Sequence, residues 1–430
     1  MLVPMEPDSS STQRPVIQAR EILAKIERGE DVEYDGVIVE GDLDITGLKL
    51  RTVHVERTEG EKQLGLTDER KVISSQITIA DSEIQGKANF TNAHFEKPVS
   101  FGGAKFTGGD ADFRRAEFAR GIADFRRAEF ARGIADFRRA EFGGDADFGG
   151  AKFTGGCAYF GRAEFGEYAY FEGAEFGGYV SFGGAKFTGE YAYFGRAEFS
   201  GYADFGGAEF GGDAIFRGAE FGGDADFGGA KFTSEDVSFE DTKFADPASQ
   251  EAACRIAKRM MEEKGNKQKA DYYFFRETEA IRIQNGIKGI GREKYPAPAN
   301  IRGRLSQLRD KIYLLPSKIK RFLIYDVLEY VFIQRVFGYG VRPFNVAKAW
   351  LIVVFTLGVV YWAGAGVVRG DEPLEWYEYF YFSIVTAATP GYAGYTPATG
   401  FYTLIAGAQA IFGTFMWAAF IATFARKWER

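Results

Sequence analysis

The sequence predicts a multidomain chain in which an array of short β-strands precedes a helical linker and an α-helical membrane domain. Three observations support this division. Phenylalanines recur at intervals of five to seven residues from Phe90 to Phe244. The stretch that follows has helical patterning, and two long apolar runs lie in about the last eighty residues. The length of 430 residues is itself typical of two or three domains.

Composition argues against several classes of protein. The 54 glycines and 42 phenylalanines far exceed ordinary usage while proline stays at 12, which indicates structural repetition rather than disorder. Two cysteines cannot build a disulfide framework, and the two histidines lie far apart, so no metal site or organic cofactor is expected. The formal net charge of −7 argues against a general nucleic-acid binder. The start of the chain lacks the pattern of a signal peptide.

Residues 1–35 are expected to hold a disordered tail and one helix. The tail covers residues 1–13, and the helix covers residues 15–28, where apolar side chains are spaced along one helical face. Two short β-rich runs follow, at residues 36–56 and 71–85.

Regular repeats fill residues 86–244. The unit ADFRRAEFARGI occurs at residues 111–122 and again at residues 123–134. Nearly every phenylalanine has an alanine two residues earlier, which places both side chains on one side of an extended strand and the polar residue between them on the other. Glycine-rich corners separate the strands. The alternative is a disordered segment rich in glycine and phenylalanine. A disordered segment, however, has no reason to keep the two-residue spacing between alanine and phenylalanine throughout.

This pattern resembles the pentapeptide-repeat family. The resemblance implies a right-handed quadrilateral β-helix over residues 36–245, with one face of the helix per repeat. The 28 phenylalanines would then make about seven coils and a rod about 34 Å long.

The same resemblance implies how side chains stack along the rod. Two twelve-residue units make one coil, so residues 24 apart lie above one another. Arg114 should therefore stack beneath Arg138, as Arg115 does beneath Arg139, with Arg126 and its neighbour Arg127 on the opposite side. Beyond this section the exposed positions turn acidic. The uneven charge fits either a docking surface or a solvated face.

Residues 246–343 are predicted to form a helical linker. One amphipathic helix begins after Pro247 and would cap the open end of the rod, and a second covers residues 268–286. Residues 301–338 mix basic, aromatic and apolar side chains, which suits either a helix at the membrane surface or a buried helix of the linker.

Residues 344–430 are predicted to form a two-span membrane hairpin. Residues 349–368 carry no charge and are long enough to cross a hydrocarbon core, and residues 400–425 form a second such run. Basic residues flank the hairpin at its two ends, whereas the connector is mostly acidic. The positive-inside rule then places both termini in the cytoplasm and the connector outside.

The connector contains an apolar segment too short and interrupted to be a third span. Residues 374–388 have helical character, and the stretch VTAATPGYAGYTP runs from Val385 to Pro397. Non-helical backbone at membrane depth is tolerated only where protein buries it or where it lines a water-filled path. Backbone carbonyls repeated around a symmetry axis can replace the hydration shell of an ion. The segment therefore predicts a re-entrant pore loop.

At this point the chain resembles the two-transmembrane potassium-channel family over about its last eighty residues. Thr389, Gly391, Tyr392 and Pro397 fall on positions of the family's filter motif, and Gly413 falls where the family keeps a hinge glycine that bends in gating. The resemblance implies an ion-conduction filter and residues that support it. The filter, residues 389–394, would conduct through Thr389, Pro390, Gly391, Tyr392 and Ala393, with support from Thr386, Gly394 and Pro397.

The chain departs from the family's filter at several positions. Ala393 replaces a glycine, and a left-handed conformation there costs a non-glycine residue about 1–2 kcal/mol. Pro390 replaces valine and removes an N–H group. Gly394 replaces the aspartate that braces the family's filter from behind, and Val385 stands where some members carry glutamate. These changes put strict K⁺ selectivity in question more than the pore architecture.

The function implied is a homotetrameric cation channel that conducts K⁺, or else Na⁺, in the cell membrane. Its cytoplasmic rod would serve assembly or regulation, with membrane lipids and an unknown ligand or protein as further partners. Glu372, Glu375 and Glu378 would concentrate cations at the outer mouth, or form a plain solvated turret. A membrane-anchored scaffold is the main alternative. A DNA-mimicking rod is disfavoured by the arginine clusters, and no catalytic motif indicates an enzyme.

Overall fold

The computed structural model describes residues 14–55, 69–234, 236–290, 343–370, 373–388 and 394–429. The chain divides into two compact units, Met1–Asn266 and Lys267–Arg430. Filter residues 389–393, the mouth residue Glu372 and the predicted interfacial helix at 301–338 all lie outside the described residues.

The first unit is a β-solenoid with four sheet faces, as the repeat pattern predicts. It has about nine turns rather than the predicted seven, because strands before Phe90 add coils at its start. From residue 77 onward the chain visits the faces in the constant order 1, 2, 3, 4. The strands of face 1 are Val32–Asp35, Ile77–Ala80, Val99–Ser100, Ala123–Asp124, Ala146–Asp147, Ala169–Tyr170, Tyr191–Tyr193, Asp213–Ile215 and Val237–Ser238. The strands of face 2 are Val16–Gln18, Ile38–Glu40, Glu83–Ile84, Lys105–Phe106, Glu129–Phe130, Lys152–Phe153, Glu175–Phe176, Glu198–Phe199, Glu220–Phe221 and Lys243–Phe244.

Faces 3 and 4 complete the coils. The strands of face 3 are Leu43–Asp44, Ala88–Asn89, Ala111–Asp112, Ala135–Asp136, Ala158–Tyr159, Val180–Ser181, Ala203–Asp204 and Ala225–Asp226. The strands of face 4 are Thr52–His54, Glu69–Ile73, Ala93–Phe95, Glu117–Phe118, Glu141–Phe142, Glu164–Phe165, Lys186–Phe187, Glu209–Phe210 and Lys231–Phe232. Strands within the four faces pair in parallel, except that Thr52–His54 pairs antiparallel with the next strand of its face.

The register confirms the predicted stacking of the arginine clusters. Ala111 pairs with Ala135 on face 3, which sets Arg114 one coil from Arg138, whereas Arg126 follows a strand of face 1. Faces 1 and 3 are two steps apart in the winding and therefore lie on opposite sides. The spacing of 24 residues does not hold along the whole rod. It falls to 23 where Ala135 pairs with Ala158 and to 22 in the next coil, because later corners lose a residue.

The core is a stack of phenylalanine rings lined by alanines. Rings one coil apart are nearly parallel, as for Phe113 and Phe137, whose centroids are 4.9 Å apart at 3°. Rings on opposite faces meet edge-on, as for Phe125 and Phe137 at 5.3 Å and 85°. These offset and edge contacts are the arrangements that aromatic quadrupoles favour. The predicted inward direction of Ala and Phe is therefore confirmed.

The solenoid begins earlier than the predicted boundary at residue 36. Residues 16–18 form a strand of face 2 rather than the first turn of a helix, and the helix α1 covers only Ala19–Arg28. The reason is that Val16 and Ile17 find parallel partners in Ile38 and Val39, so that pairing overrides the helical spacing. A 3₁₀ turn follows at Ile45–Gly47.

Helix α2, Pro247–Glu263, packs on the last strands of the solenoid, as its amphipathic pattern predicts. Asp246 caps its start by accepting a hydrogen bond from the N–H of Ser249 at 2.7 Å. The hydroxyl of Ser249 in turn accepts the N–H of Ala225 at 2.8 Å, a strand group at the end of face 3. The apolar side of the helix, including Ala253 and Ala257, is buried.

The second unit contains four helices in its described part. These are α3 (Lys267–Ile290), α4 (Pro343–Ala363), α5 (Trp376–Ala388) and α6 (Gly400–Glu429). A short antiparallel pair joins Val367–Val368 to Thr396–Pro397.

Helix α4 is shifted from the predicted first span at residues 349–368. It begins at Pro343, ends at Ala363 and is followed by a turn in which Ala365 has a φ of +44°. The reason is the short strand pair, which takes Val367 and Val368 out of the helix.

Candidate functional site

In the part of the second unit that the structure describes, two helices are long and apolar enough to cross a membrane, and a shorter helix lies between them in the sequence. The candidate spans are Phe344–Ala363 in α4 and Gly400–Ala425 in α6. Helix α5 has 13 residues, about 20 Å, which is too short for a hydrocarbon core of about 30 Å. It packs against both spanning helices. The arrangement of outer helix, short helix and inner helix is the one predicted for residues 344–430.

A buried hydrogen-bond network fixes α5 to both spanning helices. Ser383 in the middle of α5 donates from its hydroxyl to the carbonyl of Val354 in α4 at 2.7 Å. Gln409 in α6 donates from Nε2 to the carbonyl of Ser383 at 2.9 Å and to its hydroxyl at 2.7 Å. The hydroxyl of Tyr361 donates to Oε1 of Gln409 at 2.9 Å. The side chains of Ser383, Gln409 and Tyr361 are all buried, so water cannot reach their polar atoms. The hydrogen bonds between them satisfy these buried groups, which would otherwise destabilise the packing.

A second polar group holds the start of α5 to the segment after the filter positions. Glu378 accepts a hydrogen bond from the N–H of Glu375 at 2.7 Å, which caps the helix. The same carboxylate accepts the hydroxyl of Tyr395 at 2.9 Å and lies 3.3 Å from a guanidinium nitrogen of Arg369. These three donors hold the pKa of Glu378 below its usual range. The guanidinium of Arg369 also lies over the ring of Tyr395, 5.4 Å from its centroid.

Close helix contacts occur at glycines. A Cβ placed on Gly413, in the middle of α6, would lie 2.0 Å from the carbonyl oxygen of Ala387 near the end of α5. A Cβ on Gly358 of α4 would lie 2.5 Å from the ring of Phe380 in α5. Both glycines are therefore needed for α5 to sit as close to its neighbours as it does.

The predicted site residues that the structure describes lie around the two ends of the undescribed segment 389–393. Thr386 is buried in α5, and its hydroxyl makes no hydrogen bond to the residues that the structure describes. Gly394 has a φ of +86°, a conformation natural to glycine, and Pro397 pairs with Val367. Gly413 lies within the continuous helix α6.

The two predicted mouth glutamates that the structure describes, Glu375 and Glu378, are not equivalent. Glu375 is exposed at the start of α5. Glu378 is bound to Arg369 and Tyr395, so part of its charge is compensated, which the prediction of a free acidic side chain did not include.

Sequence reasoning missed the buried network. Gln409 is a polar residue within the apolar run of residues 401–425, and such residues in a membrane span usually have a partner or a function. That signal was available. The partners Ser383 and Tyr361 carry no comparable signal, because hydroxyls are common in apolar helices and only the packing of three helices brings them together.

The architecture is that of a membrane protein with a β-solenoid, and comparison with known families agrees with it. Residues 79–129, 160–209 and 205–249 match the family model described as pentapeptide repeats, in nine copies. Residues 349–430 match the family model described as ion channel. The chain thus joins pentapeptide repeats to a two-transmembrane, potassium-channel-like ion-channel domain. Neither matched family is a family of enzymes. No curated protein and no solved structure matches the chain.

Proposed function

We propose that the chain assembles as a homotetramer in the cell membrane and conducts monovalent cations, with K⁺ favoured, through carbonyls of residues 389–393. The observation that carries this proposal is the fixation of α5. A helix too short to cross the membrane is locked between two spanning helices by the buried Ser383–Gln409–Tyr361 network. It ends at Ala388, directly before the filter positions.

The end of α5 suits a cation. The C-terminal end of a helix carries a partial negative charge, because its last carbonyls lack intrahelical partners. Filter carbonyls following directly on this end would add their own dipoles. The contacts of Glu378 with Tyr395 and Arg369 tie the start of α5 to the segment that follows Gly394, which stands where the family has an aspartate.

Assembly is needed because one hairpin cannot enclose a pore. Large apolar side chains lie exposed along the spanning helices, among them Leu404 and Ile411, each 75% exposed. In a tetramer, neighbouring subunits and membrane lipids cover such surfaces. Basic residues at both ends of the hairpin support a cytoplasmic location for the termini and for the solenoid. There the solenoid serves assembly or regulation.

Flux through liposomes containing the purified protein tests the proposal. K⁺ and Na⁺ uptake would be compared for the wild type, for Gly391→Ala in the filter and for Gly407→Ala in α6. A Cβ on Gly407 has no described neighbour within 4 Å, so this variant is the matched control. The particle mass would be measured in parallel.

We expect K⁺ uptake in the wild type and the Gly407 variant, loss of uptake in the Gly391 variant, and a mass of four chains. Equal Na⁺ and K⁺ uptake would support cation conduction but contradict the proposed preference for K⁺. Absence of flux from a monomeric or dimeric particle would contradict the proposal and favour a membrane-anchored scaffold.

A further inference from the structure

Face 3 of the solenoid shows how a guanidinium is held between two successive coils. Arg138 donates from Nε to Asp136 at 2.9 Å and from a terminal nitrogen to the other carboxylate oxygen at 2.5 Å. Its guanidinium also lies over the ring of Tyr159 in the next coil, 5.0 Å from the centroid. Carboxylate and aromatic ring thus bind one arginine from two sides.

Face 1 repeats this arrangement without the arginine. Asp147 occupies the position of Asp136, and Tyr170 follows it one coil later as Tyr159 does on face 3. At the position of Arg138 the chain has Gly149. The N–H of Gly149 donates to Asp147 at 2.9 Å.

The remaining neighbour is matched on the two faces. On face 1 the guanidinium of Arg126 lies 3.7 Å from a carboxylate oxygen of Asp147, and on face 3 that of Arg114 lies 3.7 Å from Asp136. Among the carboxylate, the ring, the second arginine and the residue two positions after the carboxylate, only the last differs between the two faces: Arg138 on face 3 and Gly149 on face 1.

Exposure reflects this difference. The side chain of Asp147 is 23% exposed, against 9% for Asp136, which Arg138 covers. Partial burial, with Asp124 and Asp145 nearby, raises the pKa of Asp147.

An aromatic surface extends from this position. Tyr168, Tyr170, Tyr191 and Tyr193 form a square of stacked rings with centroids 5.2–5.9 Å apart. Carboxylates surround the square, and the hydroxyl of Tyr168 donates to Glu190 at 2.9 Å, which raises the pKa of Tyr168 to about 12. The other carboxylates at its edge are Asp145, Glu172 and Asp213.

We propose that this tyrosine patch, defined by the four tyrosines with Asp147 and Gly149, binds an arginine side chain from a basic segment of a partner protein. The guanidinium takes, between Asp147 and Tyr170, the position that Arg138 takes between Asp136 and Tyr159. The surrounding carboxylates and rings favour a cation, and the flat guanidinium both stacks on a ring and pairs with a carboxylate, which a lysine ammonium does less well. This role is independent of ion conduction.

Substitution of Gly149 by arginine tests the proposal, because it fills the site from within. A Cβ on Gly149 would meet only Asp147 Oδ1 at 3.0 Å and a carbonyl at 3.9 Å, and its backbone lies outside the left-handed region, so the side chain is accommodated. Gly206→Arg is the matched control. It adds the same charge after Asp204 on face 3, where Asp226 rather than a tyrosine stands one coil later.

The probe is a fluorescent octa-arginine peptide, with octa-lysine for comparison. Binding to the full chain in nanodiscs of zwitterionic lipid would be followed by fluorescence anisotropy. We expect octa-arginine to bind the wild type more tightly than octa-lysine does. Gly149→Arg should weaken octa-arginine binding about tenfold or more, and Gly206→Arg by less than about threefold. Tyr170→Leu, which changes no charge, should also weaken it.

Equal weakening by the two arginine variants would overturn the proposal, because binding would then follow net charge alone. Equal affinity for the two peptides, or an unaffected Tyr170→Leu variant, would overturn it as well. Thermal unfolding of each variant confirms that the solenoid is intact before binding is compared.

Discussion

At the scale of single residues, Gly413 decides how closely α6 approaches the end of α5. The atoms nearest to a Cβ at this position are the oxygen, carbon and Cα of Ala387, at 2.0, 2.7 and 2.8 Å. All three are backbone atoms and cannot rotate away as a flexible side chain would. A larger residue must therefore move the end of α5, from which the filter positions follow.

The first prediction concerns Gly413→Ala, with Gly407→Ala as control. Overpacking of this kind costs about 1–3 kcal/mol, so we expect about a tenfold or greater loss of K⁺ flux and a changed K⁺/Na⁺ ratio. The measurement is flux into liposomes for both ions. A variant that changes only the frequency of opening, with wild-type selectivity, would favour the hinge role that the family resemblance implies. Wild-type flux and selectivity would contradict both roles.

At the scale of elements, an ion-pair ladder links successive strands of face 4. Arg70 is 3% exposed and donates to Glu117 at 2.5 Å and to Glu141 one coil further on. His94 contacts the same oxygen of Glu117 at 2.8 Å. Although burial opposes the charged form, hydrogen bonds and charge from His94 and Arg70 lower the pKa of Glu117.

The second prediction is that Glu117→Gln destabilises the solenoid in a pH-dependent way. A carboxylate with a lowered folded-state pKa stabilises the fold above its unfolded value of about 4.3, and this stabilisation is lost as pH falls through the folded pKa. We expect the variant to lose about 1–2 kcal/mol at pH 7, and to approach the wild type at acidic pH. Thermal unfolding of the first unit, followed by circular dichroism across pH, measures this.

Glu164→Gln is the control for that experiment. Glu164 lies on the same face, but its pair with Lys186 is about half exposed on both sides, so we expect a loss of less than about 1 kcal/mol. A loss for Glu117→Gln that is the same at every pH would show that the side chain acts through packing rather than charge.

At the scale of the whole molecule, the sequence predicted the regular parts well and the irregular parts poorly. The Ala-x-Phe phase determines which residues enter the core, because side chains of a strand alternate between its two sides. The start of the solenoid was missed because the isoleucines and valines of residues 16–40 fit a helix and a strand equally well. The Ser383–Gln409 contact was missed because it depends on the packing of helices far apart in sequence.

The open end of the solenoid gives the last prediction. The final strands, Val237–Ser238 on face 1 and Lys243–Phe244 on face 2, have partners on one side only and pack against α2. Uncovered strand edges and apolar ends promote association between chains. We therefore expect a fragment of residues 1–266 to be soluble and monodisperse, and a fragment of residues 1–245 to aggregate, when each is examined by size-exclusion chromatography.

Two substitutions in the longer fragment test whether α2 prevents aggregation by covering the end of the solenoid, rather than simply by making the fragment longer. Ala257 is buried in α2, the helix that packs on the last strands, whereas Arg259, two residues later, is exposed. Ala257→Glu buries a charge without a partner and should reproduce the aggregation of the shorter fragment, while Arg259→Glu should stay soluble. If the fragment ending at residue 245 were as monodisperse as the longer one, α2 would not be needed as a cap, and its apolar side would require another reason for being there.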